Sequence, residues 1–193
     1  MKEKVLIADD EEDIRDLLGL LIEDLGFEVI KAGDGNSALS LFQGARPSIL
    51  LTDIKMPGMD GIQLLKRVKT EDPDAEVIMI SGHGDMGLAI ESLKYEAADF
   101  ITKPIDDVLL THALQKAHEK ISLKRELRAY TENLEKLVRE KSAKLQQLFD
   151  EGPCYVTVQD RELRITEANR RFKEDFGFVA GKTCFESYKH RQE

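Results

Sequence analysis

Tryptophan is absent from this 193-residue chain, and only two cysteines occur, Cys154 and Cys184. Neither belongs to a C-x-x-C pair, so the pattern offers no zinc site and no disulfide framework, and it suits a reducing cytoplasm. Long apolar runs are missing too. The N-terminus has only Val5 to Ala8 before an acidic cluster, too short for a signal-peptide core, and no segment is long enough to span a bilayer, so no membrane partner is expected. Basic charge is in short supply: 28 Lys and Arg stand against 37 Asp and Glu, for a net charge of -9. The acids crowd into the first 110 residues, and the remainder is slightly basic. That balance argues against non-specific binding of nucleic acid, which needs a basic face. It favours a site that concentrates divalent cations.

Apolar residues make up 41% of the chain, enough for a core, and the length allows one ordinary domain plus smaller modules. The first 105 residues alternate between two periodicities. Val5-Leu6-Ile7-Ala8, Phe27-Glu28-Val29-Ile30, Ile49-Leu50-Leu51, Val77-Ile78-Met79-Ile80 and Phe100-Ile101 read as short strands. Between them, apolar residues recur at helical spacing: Ile14 to Leu25, Ala38 to Phe42, Ile62 to Val68, and Leu88 to Tyr95. Repeated strand–helix units with brief turns predict an α/β fold, a five-stranded parallel sheet covered by helices on both faces.

Glycine and proline then vanish from Ile105 to Glu151. Leu127, Leu134, Lys141 and Leu148 repeat every seven residues, and Val138 and Leu145 join the stripe. A helix over 106–150 would run about 68 Å at ~1.5 Å per residue. A lone helix could not hide that stripe, so a dimeric coiled coil is expected over 119–150, after a first domain at 1–118. Gly152-Pro153 ends the helix. Tyr155-Val156-Thr157-Val158 and Leu163-Arg164-Ile165 read as strands, and Asn169 to Phe176 as a short helix, within a third segment at 151–193.

Chemistry in a doubly wound sheet gathers beyond the carboxyl ends of its strands. Asp9 and Asp10 fall there after the first strand, Asp53 after the third, Ser81 after the fourth and Lys103 after the fifth. Carboxylates converging on one edge repel one another unless a cation is present, and hard oxygen ligands suit Mg²⁺. A Ser hydroxyl and a Lys ammonium beside them are what a phosphoryl group needs, with Asp53 as the nucleophile that forms an acyl phosphate. Each residue alone has a plainer role as a cap, a turn or a surface charge. Five of them at separate strand ends are far harder to attribute to chance.

These residues resemble the response-regulator receiver family of two-component systems. The resemblance covers Lys4 to about His118 and rests on Asp9-Asp10, Asp53-Ile54-Lys55-Met56-Pro57-Gly58-Met59-Asp60-Gly61, Ser81-Gly82 and Phe100-Ile101-Thr102-Lys103-Pro104. It implies a flavodoxin-like strand order 2-1-3-4-5 and phosphorylation of Asp53 by a histidine kinase or a phosphotransfer protein. It further implies Mg²⁺ ligated by Asp10, Asp53 and the Lys55 carbonyl, with Asp9 acting through water. Lys103 would contact the phosphate, Ser81 and Phe100 would form the switch, and the Lys103–Pro104 bond is often cis. The run Ser81-Gly82-His83-Gly84-Asp85 looks most like nitrogen-regulatory receivers. Lys55 and His83 would overhang the path of an attacking water. Glu96 departs from the family, which usually has glycine there, and puts the turn before the fifth strand in question.

The helix beyond resembles signalling helices that join modules. Residues 148–193 resemble the first half of a PAS sensor domain, through Leu148-Phe149-Asp150, the Tyr155 strand, Asn169 with Phe172, Phe176-Gly177 and Gly181. The expected function is thus a phospho-accepting input module that acts through a homodimeric coiled coil on a PAS-containing output, the parent being a receiver–PAS histidine kinase. Two alternatives are a chemically silent receiver serving as a dimerisation scaffold and a Mg²⁺-dependent aspartyl phosphatase. The second needs an acid two residues after the nucleophile, where this chain has Lys55.

Overall fold

A computed structural model describes residues 2–82, 86–177 and 181–183. The chain divides into two compact units, Met1–Leu127 and Arg128–Glu193.

In the first unit, strands β1 (Lys4–Ala8), β2 (Glu28–Ala32), β3 (Ile49–Asp53), β4 (Glu76–Ser81) and β5 (Asp99–Thr102) alternate with helices α1 (Glu12–Asp24), α2 (Gly35–Ala45), α3 (Gly61–Glu71) and α4 (Met86–Lys94). A long helix α5 (Asp107–Glu151) follows. The strands form one parallel sheet in the order β2-β1-β3-β4-β5, as expected. The central strands are apolar on both faces because both faces are covered. With side chains alternating at period two, Leu6, Leu50, Val77 and Met79 pack with Phe42, Leu64, Leu65 and Val68 from α2 and α3. Val5, Ile7, Ile49, Leu51, Ile78 and Ile80 point the other way, onto Leu18 and Ile22 of α1 and Leu110, Leu114 and Ile121 of α5. Each fully buried Leu or Ile contributes roughly 1.5–3 kcal/mol, so this double-sided core dominates the stability of the unit.

The helices begin where side chains satisfy free amides. Asp34 Oδ1 accepts from the Asn36 and Ser37 amides to start α2. Asp60 accepts from Gln63 N at the head of α3, and Asp106 from Val108 N and Leu109 N at the head of α5. Glu96 sits in the left-handed region at φ 62. The turn before β5 therefore does take the backbone conformation that glycine adopts most readily, and Glu96 fills it at some steric cost.

At the amino ends of the strands lies a feature the sequence did not announce. Glu76 opens β4 with no solvent exposure, and its two carboxylate oxygens receive Lys120 Nζ and Lys124 Nζ of α5, each at 2.8 Å.

In the second unit, β6 (Thr157–Gln159) and β7 (Ile165–Ala168) pair antiparallel, followed by α6 (Arg170–Phe176). Both strands lie further along the chain than the apolar runs suggested. Asp160 Oδ1 gathers the amides of Glu162 and Arg164 into a tight turn, and Leu163 enters it at φ 61, so β7 starts only at Ile165. Asn169 is completely buried and clasps the unit: its Oδ1 accepts from Val156 N and Phe172 N, and its Nδ2 donates to the Cys154 carbonyl. Tyr155 packs edge-on against Phe172 and Phe176. No helix among the described residues is long and apolar enough to cross a membrane.

Candidate functional site

The parallel sheet places the carboxyl ends of β1, β3, β4 and β5 at one edge, and the five residues singled out in the sequence stand there. Asp9 follows β1 and is fully buried, while Asp10 beside it is exposed. Asp53 ends β3 with only 7% of its surface open. One oxygen from each of these three carboxylates lies within 4.8 Å of the others. Lys103, just past β5, reaches Asp9 Oδ2 at 3.0 Å, Glu11 Oε1 at 3.1 Å and Asp53 Oδ1 at 3.7 Å. Ser81 ends β4 and is buried, and its carbonyl accepts from Lys103 N at 2.8 Å, tying the two strand ends together.

Burial is the main reason the Asp53 carboxyl is pushed up to about 6. The charges of Asp9 and Asp10 push the same way, whereas Lys103 and a hydrogen bond from the Ile54 amide pull against them. Lys103 is itself displaced upward. Burial disfavours its charge, but hydrogen bonds to Asp9 and Glu11 and the charges of Asp53 and Asp9 outweigh that. The single ammonium does not neutralise three carboxylates. Asp9 Oδ2 is buried against that same ammonium, at 3.0 Å. Hard oxygens in excess over cationic partners fit a small divalent cation. Acidic pockets of this kind are where receiver domains bind Mg²⁺.

The local backbone is set by close approach. Gly61 begins α3 directly against the end of β3, where a Cβ would collide with the Asp53 carbonyl oxygen. Its amide donates to the Ile54 carbonyl at 2.9 Å. Gly58, at φ 78, makes the turn between them. Lys55 lies in this loop with its side chain exposed, beside a cleft of about 380 Å³ lined by Ile54, Met56, Pro57, Ile62 and Leu88 among others. Phe100 is half-buried and packs against the core face formed by α2 and α3. The Lys103–Pro104 bond is cis. His83 lies outside the described residues.

Two residues join the site that the sequence reading did not single out. Glu11 is one of the partners of Lys103, and Arg15 Nη1 donates to the Asp9 carbonyl at 2.7 Å, bracing the β1–α1 loop. The only trace of Glu11 in the sequence is the acidic run 9–13. Nothing in the sequence distinguishes Arg15 from any surface arginine.

Comparison with known proteins agrees with this geometry. The response regulator receiver domain family matches residues 5–115. The transcriptional regulatory protein FixJ of Bradyrhizobium diazoefficiens is 36% identical over 116 residues, 60% of this chain and 57% of FixJ. The chemotaxis protein CheY of Listeria monocytogenes is 37% identical over 59% of this chain and 97% of its own length. The nitrogen assimilation regulatory protein NtrX of Azorhizobium caulinodans is 38% identical over 66% of this chain but only 29% of NtrX. This chain thus spans just over half of FixJ and under a third of NtrX. Among solved structures, a receiver domain protein from Clostridium thermocellum superposes with a TM-score of 0.60 at 31% identity, over 65% of this chain and 98% of its own. NtrX from Brucella abortus gives 0.64 at 37% identity, over 67% of this chain and 30% of that one. A matching family over more than half the chain, the 2-1-3-4-5 sheet and an acidic pocket at its carboxyl edge converge on one conclusion: this chain belongs to the response regulator receiver domain family of two-component systems, whose members are phosphorylated on aspartate.

Proposed function

We propose that Asp53 is the phosphoacceptor and that Asp9, Asp10, Asp53 and the Lys55 carbonyl would hold Mg²⁺, Asp9 through water. The observation that carries this is the convergence of three carboxylates within 4.8 Å around an ammonium that touches two of them. The cation, when bound, neutralises charge on the transferring phosphoryl oxygens. An Asp53 oxygen attacks the phosphorus of a phosphohistidine, the P–N bond breaks, and its electron pair stays with the imidazole, which takes up a proton. Lys103 shifts from its carboxylate partners to a phosphoryl oxygen and Ser81 donates to another, while Phe100 turns inward. The donor is a histidine kinase or a phosphotransfer protein, in a cytoplasmic setting. A phosphatase with a general acid two residues after Asp53 is disfavoured, because that position is Lys55.

The test uses acetyl phosphate. With Mg²⁺ the protein takes up one acid-labile, hydroxylamine-labile phosphoryl group, mapped to Asp53 by borohydride reduction and mass spectrometry. Labelling that persists undiminished in EDTA, or that maps elsewhere, defeats the assignment.

For the output we infer a parallel dimer through α5. Leu127, Leu134, Val138, Leu145 and Leu148 are exposed along the helix at heptad spacing, which supports pairing with a second copy. The Asn169 clasp with its Tyr155–Phe172–Phe176 cluster supports the PAS reading of the following segment. Lys141 falls on the seam, where a charge weakens pairing. Lys141→Leu should tighten the dimer about tenfold in sedimentation equilibrium, the equivalent of ~1.4 kcal/mol. A chain that stays monomeric at tens of micromolar, with or without the substitution, rules out the seam.

A further inference from the structure

Among the described residues, Glu76 is a wholly buried carboxylate that the phosphoacceptor chemistry does not use. Glu76 has no solvent exposure and lies at the amino end of β4, the end opposite Ser81. Taking a carboxylate out of water is costly unless its oxygens are paired. Both are paired here, and by the same element: Lys120 and Lys124, one helical turn apart on α5, each approach a separate oxygen at 2.8 Å. Lys124 is held above the usual lysine range. Burial works against its charge, but the hydrogen bond to Glu76 and the charges of Glu76, Asp74 and Glu96 prevail.

Other strand starts contribute to the same seat. Lys116 pairs with Asp99 at the head of β5 at 3.0 Å. His118 contacts Glu3 before β1. Arg125 reaches Glu3 Oε1 at 3.3 Å, and its Nη2 donates to Ser48 Oγ, before β3, at 2.8 Å. Glu76 is the one wholly buried member, so it fixes the helix in depth and rotation, whereas pairs between exposed groups contribute little each. β4 is buried at all six positions and hydrogen-bonded on both sides, by β3 and β5. At about 3.3 Å per residue, roughly 17 Å of fully constrained strand separates Ser81 from Glu76.

We propose that Glu76 is a coupling residue: it sets the position of residues 116–127 of α5 against the sheet and carries to them any displacement that phosphorylation imposes on β4 through Ser81. The anchoring half stands on the structure alone, and the coupling half rests on the phosphoacceptor reading of Asp53. Such coupling needs a contiguous element that both ends can bias, and β4 with its two lysine contacts provides one.

Hydrogen exchange on the full chain, read by mass spectrometry, tests both halves. Without phosphate, Glu76→Gln should lower protection of the amides in 116–127 by about tenfold, with protection in β3 retained as the measure of folding. Lys120→Gln and Lys124→Gln, each leaving one lysine in place, should give smaller losses in the same segment. Unchanged protection in all three variants overturns the anchor. After labelling with acetyl phosphate and Mg²⁺, exchange in 116–127 should change at least about twofold in the wild type and not in Glu76→Gln, although both take up phosphate at similar rates. A labelled wild type with no change there overturns the coupling, as does a variant that responds like the wild type. If the wild type takes no label, the phosphoacceptor reading and the coupling fall together, while the anchor is still decided by the first comparison.

Discussion

Asp53→Asn should abolish hydroxylamine-labile phosphate and, in the same protein, raise the stability of the metal-free fold. The first effect follows from removing the nucleophile: an amide neither attacks phosphorus nor supplies a carboxylate ligand. The second follows from linkage. The Asp53 carboxyl titrates at about 6 in the folded chain, raised from 3.8, chiefly by burial and then by Asp9 and Asp10 against the pull of Lys103. Between those two values the folded state keeps a proton that the unfolded chain has released, so stability falls as pH rises through that window and stays lower above it. Two pKa units correspond to ~3 kcal/mol at most. Asparagine carries no charge, so in EDTA at pH 8 the variant should be more stable by about 1–3 kcal/mol, several degrees in melting temperature. Well below pH 3.8 the gain should vanish, because the wild-type carboxyl is then neutral in both states. Adding Mg²⁺ should narrow or reverse the difference, since the wild type binds the ion more tightly. Thermal melts by circular dichroism across pH, with and without EDTA, check each part. A variant no more stable than the wild type at pH 8 in EDTA contradicts the electrostatic account of the pocket.

Gly61→Ala should damage both fold and site, although α-helices ordinarily prefer alanine. The added methyl meets backbone, not a flexible side chain: the Asp53 carbonyl oxygen, and the Asp53 carbonyl carbon and Ile54 Cα at 3.0 Å each. Relief requires α3 to move away from the end of β3, which also strains the Gly61–Ile54 hydrogen bond. Overpacking of this kind costs typically 1–3 kcal/mol, more than the ~1 kcal/mol alanine gains over glycine in a helix. The expected net result is a lower melting temperature and, because Asp53 is carried on the displaced strand end, labelling by acetyl phosphate slowed by about tenfold or more. Wild-type stability together with wild-type labelling would show that the β3–α3 junction has slack the packing does not reveal.

Sequence alone determined the elements that local chemistry controls. Short apolar runs such as Val77 to Ile80 must be buried on both faces, helical spacing such as Ile62 to Val68 must cover them, and brief turns leave only a parallel sheet between helix layers. That architecture puts strand-end residues at one edge, so Asp9, Asp10, Asp53, Ser81 and Lys103 could be named before any coordinates. The family match and the 2-1-3-4-5 sheet agree with that architecture. Strand boundaries after Gly152 were less legible, because the Asp160 turn draws Leu163 into a left-handed position that its apolar side chain disguises. Only the tertiary structure decided which charges meet. Glu11 and Arg15 reach the pocket, and Glu76 finds Lys120 and Lys124, across separations of 44 and 48 residues that no periodicity encodes. Burial follows from pattern because the hydrophobic effect has no direction, whereas an ion pair depends on where two distant backbones come to rest.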